Sequence, residues 1–227
     1  MQISLIMPAY NEEERIGKFL TSLLKCFPSE EIIVVCNGCT DRTPEIVKSF
    51  CKKHRNITLL VYKEKIGKGA AIVEGFKRAN GEYVGFVDAD GTFGCKEIKR
   101  VLKRLRYADC VIASKWKGQS FSSVEWPVTR KIFSRLWNLM VRFFLHLNFD
   151  DTQAGLKFVK KNVLKSIDFN FICRGYDFDV EFLLKIRKKG FDIEEVFTKV
   201  RHTGDTSFSF VSIPKMFVNL LRLCLRI

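Results

Sequence analysis

A mostly parallel α/β sheet with helices on both faces is predicted by three observations. Short apolar runs alternate with amphipathic helical patterns through the first half of the chain. Polar residues gather just after those runs, at what becomes one edge of such a sheet. The chain is also long enough, at 227 residues and 47% hydrophobic, for one domain with a sizeable core, taking ~150 residues per domain as the guide.

The elements follow in order. "ISLIMP" reads as a strand, 13–25 as a helix, "EIIVVC" as a strand and 44–53 as a helix. "ITLLVY", a helix over 68–79, "EYVGFV", a helix over 96–107 and "DCVIAS" continue the alternation. The second half is less regular: a polar loop over 115–124, a long apolar helix over 128–147, the segment "FDDTQAGLKFV", a helix over 178–189 and a strand near 193–198. There is no internal repeat and no linker rich in Pro, Gly and Ser. Residues 1–211 are expected to form one domain and 212–227 an appended amphipathic helix.

A net charge of +14, from 39 Lys and Arg against 25 Asp and Glu, predicts an anionic partner. Those basic residues are spread along the chain with no compact recognition module or row of stacking aromatics, so nucleic acid is not the expected partner. Cys36 and Cys39 have C-x-x-C spacing, but no second such pair and no His pair completes a metal set. The eight cysteines are therefore read as reduced thiols of a protein facing the cytosol. The first residues lack the basic and apolar regions of a signal peptide, and no stretch reaches the ~18 uncharged apolar residues of a membrane span.

The strand "EYVGFV" ends in "DADGT", placing Asp88 and Asp90 on either side of Ala89. Two carboxylates that close repel unless a cation lies between or beside them, and hard oxygen donors suit Mg²⁺ or Mn²⁺. An ordinary Asp-Gly turn is the alternative. Upstream, Gly67 and Gly69 flank Lys68 at a helix start, where backbone N–H groups and the lysine would attract an anion. The segment matches neither of the glycine-rich phosphate signatures, so it too reads equally as a plain turn.

"MPAYNEEERI", "IIVVCNGCTDRT", "GKGAAIVEGFKRANGEYVGFVDADGT", "DTQAGLKFV" and "GYDFDVEFLLKIRKKGFDIEEV" together resemble the inverting nucleotide-sugar glycosyltransferases of the second family. They look most like its dolichyl-phosphate glucose and mannose synthases, and the resemblance covers nearly the whole chain. It implies a GT-A fold and transfer of a hexose from a UDP- or GDP-sugar to a polyprenyl phosphate. By motif match, Pro8, Ala9, Tyr10 and Glu12 would line the nucleotide pocket, with Asn37 at the base and Lys68 and Ala89 alongside. Asp88 and Asp90 would hold the Mg²⁺ or Mn²⁺ ion and the diphosphate, and Arg201 would lie beside that diphosphate. Where the family carries D-D-G-S this chain has "CNGC", an amide in place of an acid. Lys115, Arg130, Ser134 and Gln153 would serve the acceptor, Lys115 standing where related synthases have arginine and so losing the bidentate fork. Thr92 stands where some related synthases place a further metal-binding glutamine. Asp151 and Thr152 match the family pattern without a role that residue chemistry supplies.

Two helical segments have a pattern of their own. Lys131, Ser134, Arg135, Asn138, Arg142 and His146 form a narrow polar stripe on one, and Lys215, Asn219, Arg222 and Arg226 form one on the other; the remaining faces are broadly apolar. Such helices either pack on the sheet and expose the stripe, or lie in the interface of an anionic membrane, giving a peripheral protein on its cytosolic face. A glycosyltransferase acting on a hydroxyl acceptor is the rival reading. It would need a carboxylate base, for which Asp150, Asp151, Asp177 and Asp179 are available.

Overall fold

A computed structural model describes residues 2–124, 126–200 and 213–226. Its centre is a seven-stranded sheet: β1 (Ile3–Ala9), β2 (Glu31–Asn37), β3 (Ile57–Tyr62), β4 (Tyr83–Val87), β5 (Cys110–Ser114), β6 (Leu156–Lys160) and β7 (Ile193–Phe197). The strand order is β3-β2-β1-β4-β6-β5-β7, and all neighbours are parallel except β6, which runs antiparallel to both β4 and β5. The alternation along the first half thus predicts the parallel part. The antiparallel β6 comes from "LKFVK", within a segment whose apolar run is too short to announce its direction.

Because successive side chains of a strand point to opposite faces, each strand feeds two cores. Leu5, Met7, Ile32 and Val34 pack under α1 (Ile16–Cys26), α2 (Thr43–Lys53) and α4 (Cys95–Arg104). Ile6, Ile33, Val35 and Phe86 pack under α3 (Lys68–Arg78), α5 (Val128–Leu145), α6 (Lys161–Ser166), α7 (Phe178–Lys188) and α8 (Ile213–Cys224). Strands covered on both sides are buried and mostly apolar, as β1 is, buried over all seven residues with Ser4 its one polar side chain.

The helix α1 begins at Ile16, three residues later than the periodicity predicts, because the stretch before it is occupied by turn contacts to residues 40–43. The cysteine expectation needs correcting: Cys26 and Cys95 are joined by a disulfide, because the C-terminal end of α1 and the N-terminal start of α4 lie side by side. The other six cysteines are free thiols.

Two features open a crevice at one edge of the sheet. The crossovers through α1 and α2 lie on one face and that through α3 on the other, so the strand order reverses between β1 and β4. Pairing of β1 with β4 ends at Ile6 opposite Phe86, and beyond it Pro8 keeps only its β2 neighbour, Val35. A proline is tolerated there because its missing N–H faces the side no longer bonded.

Candidate functional site

The crevice is built from the ends of β1, β2 and β4. Pro8 and Ala9 are buried in its floor, and Tyr10 stands at the rim with the Lys65 ammonium 3.6 Å over its ring. Asn11, at φ 54°, turns the chain so that Glu12 folds back inward. The Glu12 N–H donates to Thr43 Oγ1 at 2.8 Å, and its carboxylate meets Arg15 Nε at 2.8 Å. Burial pushes the Glu12 carboxyl up to about 7; Arg15 opposes the shift, while Asp90 and Asp88 add to it. Three carboxyl groups therefore sense one another across the crevice.

Asp88 is the central one. Its side chain is half-buried, with Oδ1 2.6 Å from Lys68 Nζ. Burial raises its pKa, Lys68 lowers it and Asp90 raises it again. Burial also works against the Lys68 ammonium, yet Asp88 and Asp179 outweigh that and hold its pKa above an ordinary lysine's. Beneath the carboxylate lies Gly155, whose carbonyl accepts the Asp88 N–H at 2.9 Å. A Cβ on Gly155 would stand 1.9 Å from Asp88 Oδ2. This glycine escapes sequence reasoning, because only the antiparallel pairing of β4 with β6 brings it under a residue 67 positions earlier.

Beyond buried Ala89, Asp90 takes the turn conformation that the Asp-Gly reading describes, with its Oδ1 accepting the Thr92 N–H at 2.9 Å. Among the described residues no three His, Cys, Asp or Glu side chains converge as a complete metal cage. Two half-buried carboxylates at the sheet edge fit a divalent ion that takes its remaining ligands from phosphate oxygens and water.

Several predicted roles change in the fold. The helix start at Lys68 offers less to an anion than its sequence suggests, since the N–H groups of Gly69 and Ala70 both donate to the Arg174 carbonyl, at 2.9 and 3.3 Å. The Lys68 side chain there pairs with Asp88. Asn37 is buried, and its Oδ1 accepts the N–H groups of Ile66 and Gly67 at 2.8 and 3.3 Å. The amide thus anchors the loop that delivers Lys68. Lys115 is not a free cation: it is buried, and its Nζ lies 2.7 Å from the fully buried Asp151.

That pair explains "DDTQ". Asp151 also accepts the Gln153 N–H, and Glu195 on β7 accepts the N–H groups of Asp150 and Asp151 at 2.9 and 2.7 Å. Asn138 donates to the Asp150 carbonyl and accepts from Thr152, while Arg142 pairs with Asp150 at 2.5 Å. The Gln153 amide, oriented by its neighbours, donates to the Tyr176 carbonyl at 2.9 Å and accepts from Trp137 Nε1 at 3.2 Å. The signature is a clamp that sets where β6 begins, and with it Gly155 under Asp88. Glu195 falls within the last of the family-like segments, but no site role was expected of it.

The segment expected to meet the acceptor forms a cluster of rings and cations. The Arg130 guanidinium lies 5.6 Å from the Trp126 ring centre, on which Lys115 also bears at 4.6 Å. Ser134 Oγ accepts Trp116 Nε1 at 2.9 Å, leaving its own O–H to donate. Arg201 lies outside the described residues.

The helix α5 is turned opposite to the packing that exposes a polar stripe. Lys131 and Asn138 are buried and Arg142 reaches inward, whereas Val128, Ile132, Leu136, Leu139 and Phe143 are exposed in one line at helical spacing. The neighbouring α8 buries Met216, Asn219, Leu220 and Leu223 and exposes Phe217, Val218 and Leu221, with Leu225 exposed just past its end. No helix of the described residues is long and apolar enough to cross a membrane.

Comparison with known proteins places the chain by family and fold. The model of "Glycosyl transferase family 2" matches residues 4–168. The dolichyl-phosphate beta-glucosyltransferase ALG5D of Trichomonas vaginalis is 30% identical over 97% of this chain and 72% of its own length. The undecaprenyl-phosphate mannosyltransferase of Micrococcus luteus is 29% identical over 98% of this chain and 93% of its own. Among solved structures, glucosyl-3-phosphoglycerate synthase of Mycobacterium tuberculosis, in complex with Mn²⁺, UDP and phosphoglyceric acid, superposes with a TM-score of 0.72. It is 20% identical, over 98% of this chain and 78% of its own.

Proposed function

The chain belongs to glycosyl transferase family 2 and has the GT-A fold, and from that premise we propose that it transfers a hexose from a UDP- or GDP-sugar to a polyprenyl phosphate with inversion. The observation that carries the reading is the Asp88 carboxylate, seated on Gly155, paired with Lys68 and facing Asp90 and Glu12 where the strand order reverses. The near full-length similarity to two polyprenyl-phosphate hexosyltransferases supports the acceptor class.

Asp88 and Asp90 would hold Mg²⁺ or Mn²⁺ together with the donor diphosphate, and the bound ion would supply positive charge against the charge that develops on the leaving diphosphate. Lys68, 2.6 Å from Asp88, would add a second cation beside the diphosphate. Pro8, Ala9, Tyr10 and Glu12 line the nucleotide wall, and Asn37 holds the loop behind it. A polyprenyl phosphate oxygen is already anionic near neutral pH and needs no general base; the chain's task is alignment. Arg130, with the Ser134 hydroxyl one helical turn along α5, is the group placed to orient that phosphate.

The four carboxylates that a hydroxyl acceptor would recruit as base are all engaged. Asp150 pairs with Arg142, Asp151 with Lys115, Asp179 with Lys157 at 2.5 Å, and Asp177 accepts from Asn219 at 2.6 Å. This favours an acceptor that arrives deprotonated.

The outward apolar lines of α5 and α8 support a peripheral membrane protein, with the basic surface drawn to anionic lipid on the cytosolic side. Deleting 214–227 is expected to reduce flotation with liposomes; unchanged flotation removes that role from α8. The reaction itself is tested with labelled nucleotide hexoses and a polyprenyl phosphate plus Mn²⁺. Label entering the lipid fraction supports the proposal, and label found only in a soluble glycan overturns it.

A further inference from the structure

Asn219 is a buried polar residue on a helix whose other inward side chains, Met216, Leu220 and Leu223, are apolar. A buried amide needs a partner, and Asn219 Nδ2 donates to Asp177 Oδ2 at 2.6 Å. Asp177 is buried too, and its Oδ1 accepts the Gly175 N–H at 3.2 Å. One carboxylate thus joins α8 to the loop over 172–177 that leads into α7.

Other groups fix the same loop. Glu181 accepts the N–H groups of Ile172 and Cys173 at 2.9 and 2.8 Å, and the Tyr176 carbonyl accepts the Gln153 amide. The Arg174 carbonyl is turned toward α3, where it accepts the N–H groups of Gly69 and Ala70 at 2.9 and 3.3 Å. Gly67 permits that approach, since a Cβ there would collide with this carbonyl. The Gly175 N–H and the Arg174 C=O belong to one planar trans peptide group, in which the two bonds point in opposite directions. Holding the N–H with Asp177 therefore aims the carbonyl at α3. The first residue of that helix is Lys68, whose Nζ lies 2.6 Å from Asp88 Oδ1.

We propose that Asn219 and Asp177 are positioning residues of the donor site. Asn219 orients the Asp177 carboxylate, the carboxylate aims the peptide between Arg174 and Gly175, and that peptide fixes the start of α3 and with it the Lys68 ammonium. The inference rests on the transferase reading only for the diphosphate that Lys68 would meet. It gives α8 two tasks on two faces: Phe217, Val218 and Leu221 look outward, while Asn219 holds the loop behind the donor site.

The test uses the full chain. Asn219→Leu removes the bond, and Asn219→Asp sets two carboxylates against each other. Adding Asp177→Asn to Asn219→Asp restores the bond in reverse: the new amide nitrogen donates to the new carboxylate, while its oxygen keeps the Gly175 N–H. Hydrogen exchange of the Gly69 and Ala70 amides, followed by NMR, should quicken about tenfold in either single variant and return in the double one. With a nucleotide hexose, a polyprenyl phosphate and Mn²⁺, donor KM should rise about tenfold, the weight of one hydrogen bond to a charged group, and recover in the double variant; acceptor KM should not change. If Asn219→Asp does not fold, Asn219→Leu and the double variant carry the comparison. Unchanged exchange at Gly69 and Ala70, exchange that quickens equally along the whole chain, or a donor KM that stays at the wild-type value would each overturn the proposal. Exchange that responds and is rescued, in a chain that turns over no nucleotide hexose, upholds the positioning of Lys68 and removes the transferase reading instead.

Discussion

The Asp88 carboxylate rests on the bare backbone of Gly155: the main-chain bond of 2.9 Å between them holds the strands in register, and the missing Cβ leaves the space the carboxylate occupies. Gly155→Ala would force Asp88 to move. Overpacking of this kind costs about 1–3 kcal/mol, which a domain of this size tolerates, but a shift of ~1 Å at a reacting site costs about 100-fold in rate. The expected outcome is a folded protein, slightly lower in Tm, whose transfer to polyprenyl phosphate falls about 100-fold. Near wild-type kcat would mean that Asp88 does not need this seat.

Asp90→Ala should abolish metal-dependent transfer, a loss of at least about 100-fold as for other removed charge-stabilising groups. Flotation with anionic liposomes should be unchanged, since the α5 and α8 surface is untouched. A variant that loses both has lost its fold, which circular dichroism will report.

Lys115 and Asp151 form a buried pair, and removing one partner strands the other. Asp151→Asn is expected to cost about 3–5 kcal/mol in urea unfolding, with Lys115→Met similar and the double variant less than the sum. Lys115→Met retaining full stability would return Lys115 to the role of an acceptor-binding cation.

Glu12 links the site to pH. Its folded-state pKa, raised from 4.5 to about 7, exceeds its unfolded value, so between these pH values the native state holds more protons and stability falls as pH rises. The metal-free protein should therefore lose up to about 3 kcal/mol across this window. Glu12→Gln should flatten that slope; a slope that persists assigns the effect to other groups.

The outward line of α5 gives a fifth prediction, at the surface. Leu139→Glu with Phe143→Glu removes two exposed apolar side chains, worth ~1.5–3 kcal/mol each when buried in lipid. Liposome binding should weaken more than tenfold, while Tm stays within a few degrees because neither residue packs in the core. Binding that survives would place the lipid contact elsewhere.

Much of this was readable in one dimension. Strand period, helical period and turn residues are local, so the parallel half of the sheet, the crevice at its carboxyl edge and the pair Asp88 and Asp90 at a strand end all follow from neighbours in sequence. The roles of Asp151 and Thr152 were not readable, because their partners Lys115 and Asn138 lie 36 and 14 residues away and meet them only once β5, α5 and β6 are assembled.

Sequence alone therefore determined the layered α/β architecture, the family and the acids of the candidate site, since each rests on periodicity or on contiguous motifs. Tertiary structure decided three other things: that Gly155 seats Asp88, that the α3 amides and Lys115 are already taken, and that α5 turns its apolar line outward. Each depends on which groups a fold brings within a hydrogen bond of one another. A polar stripe or a lone lysine can satisfy that demand in more than one way until its partner is placed.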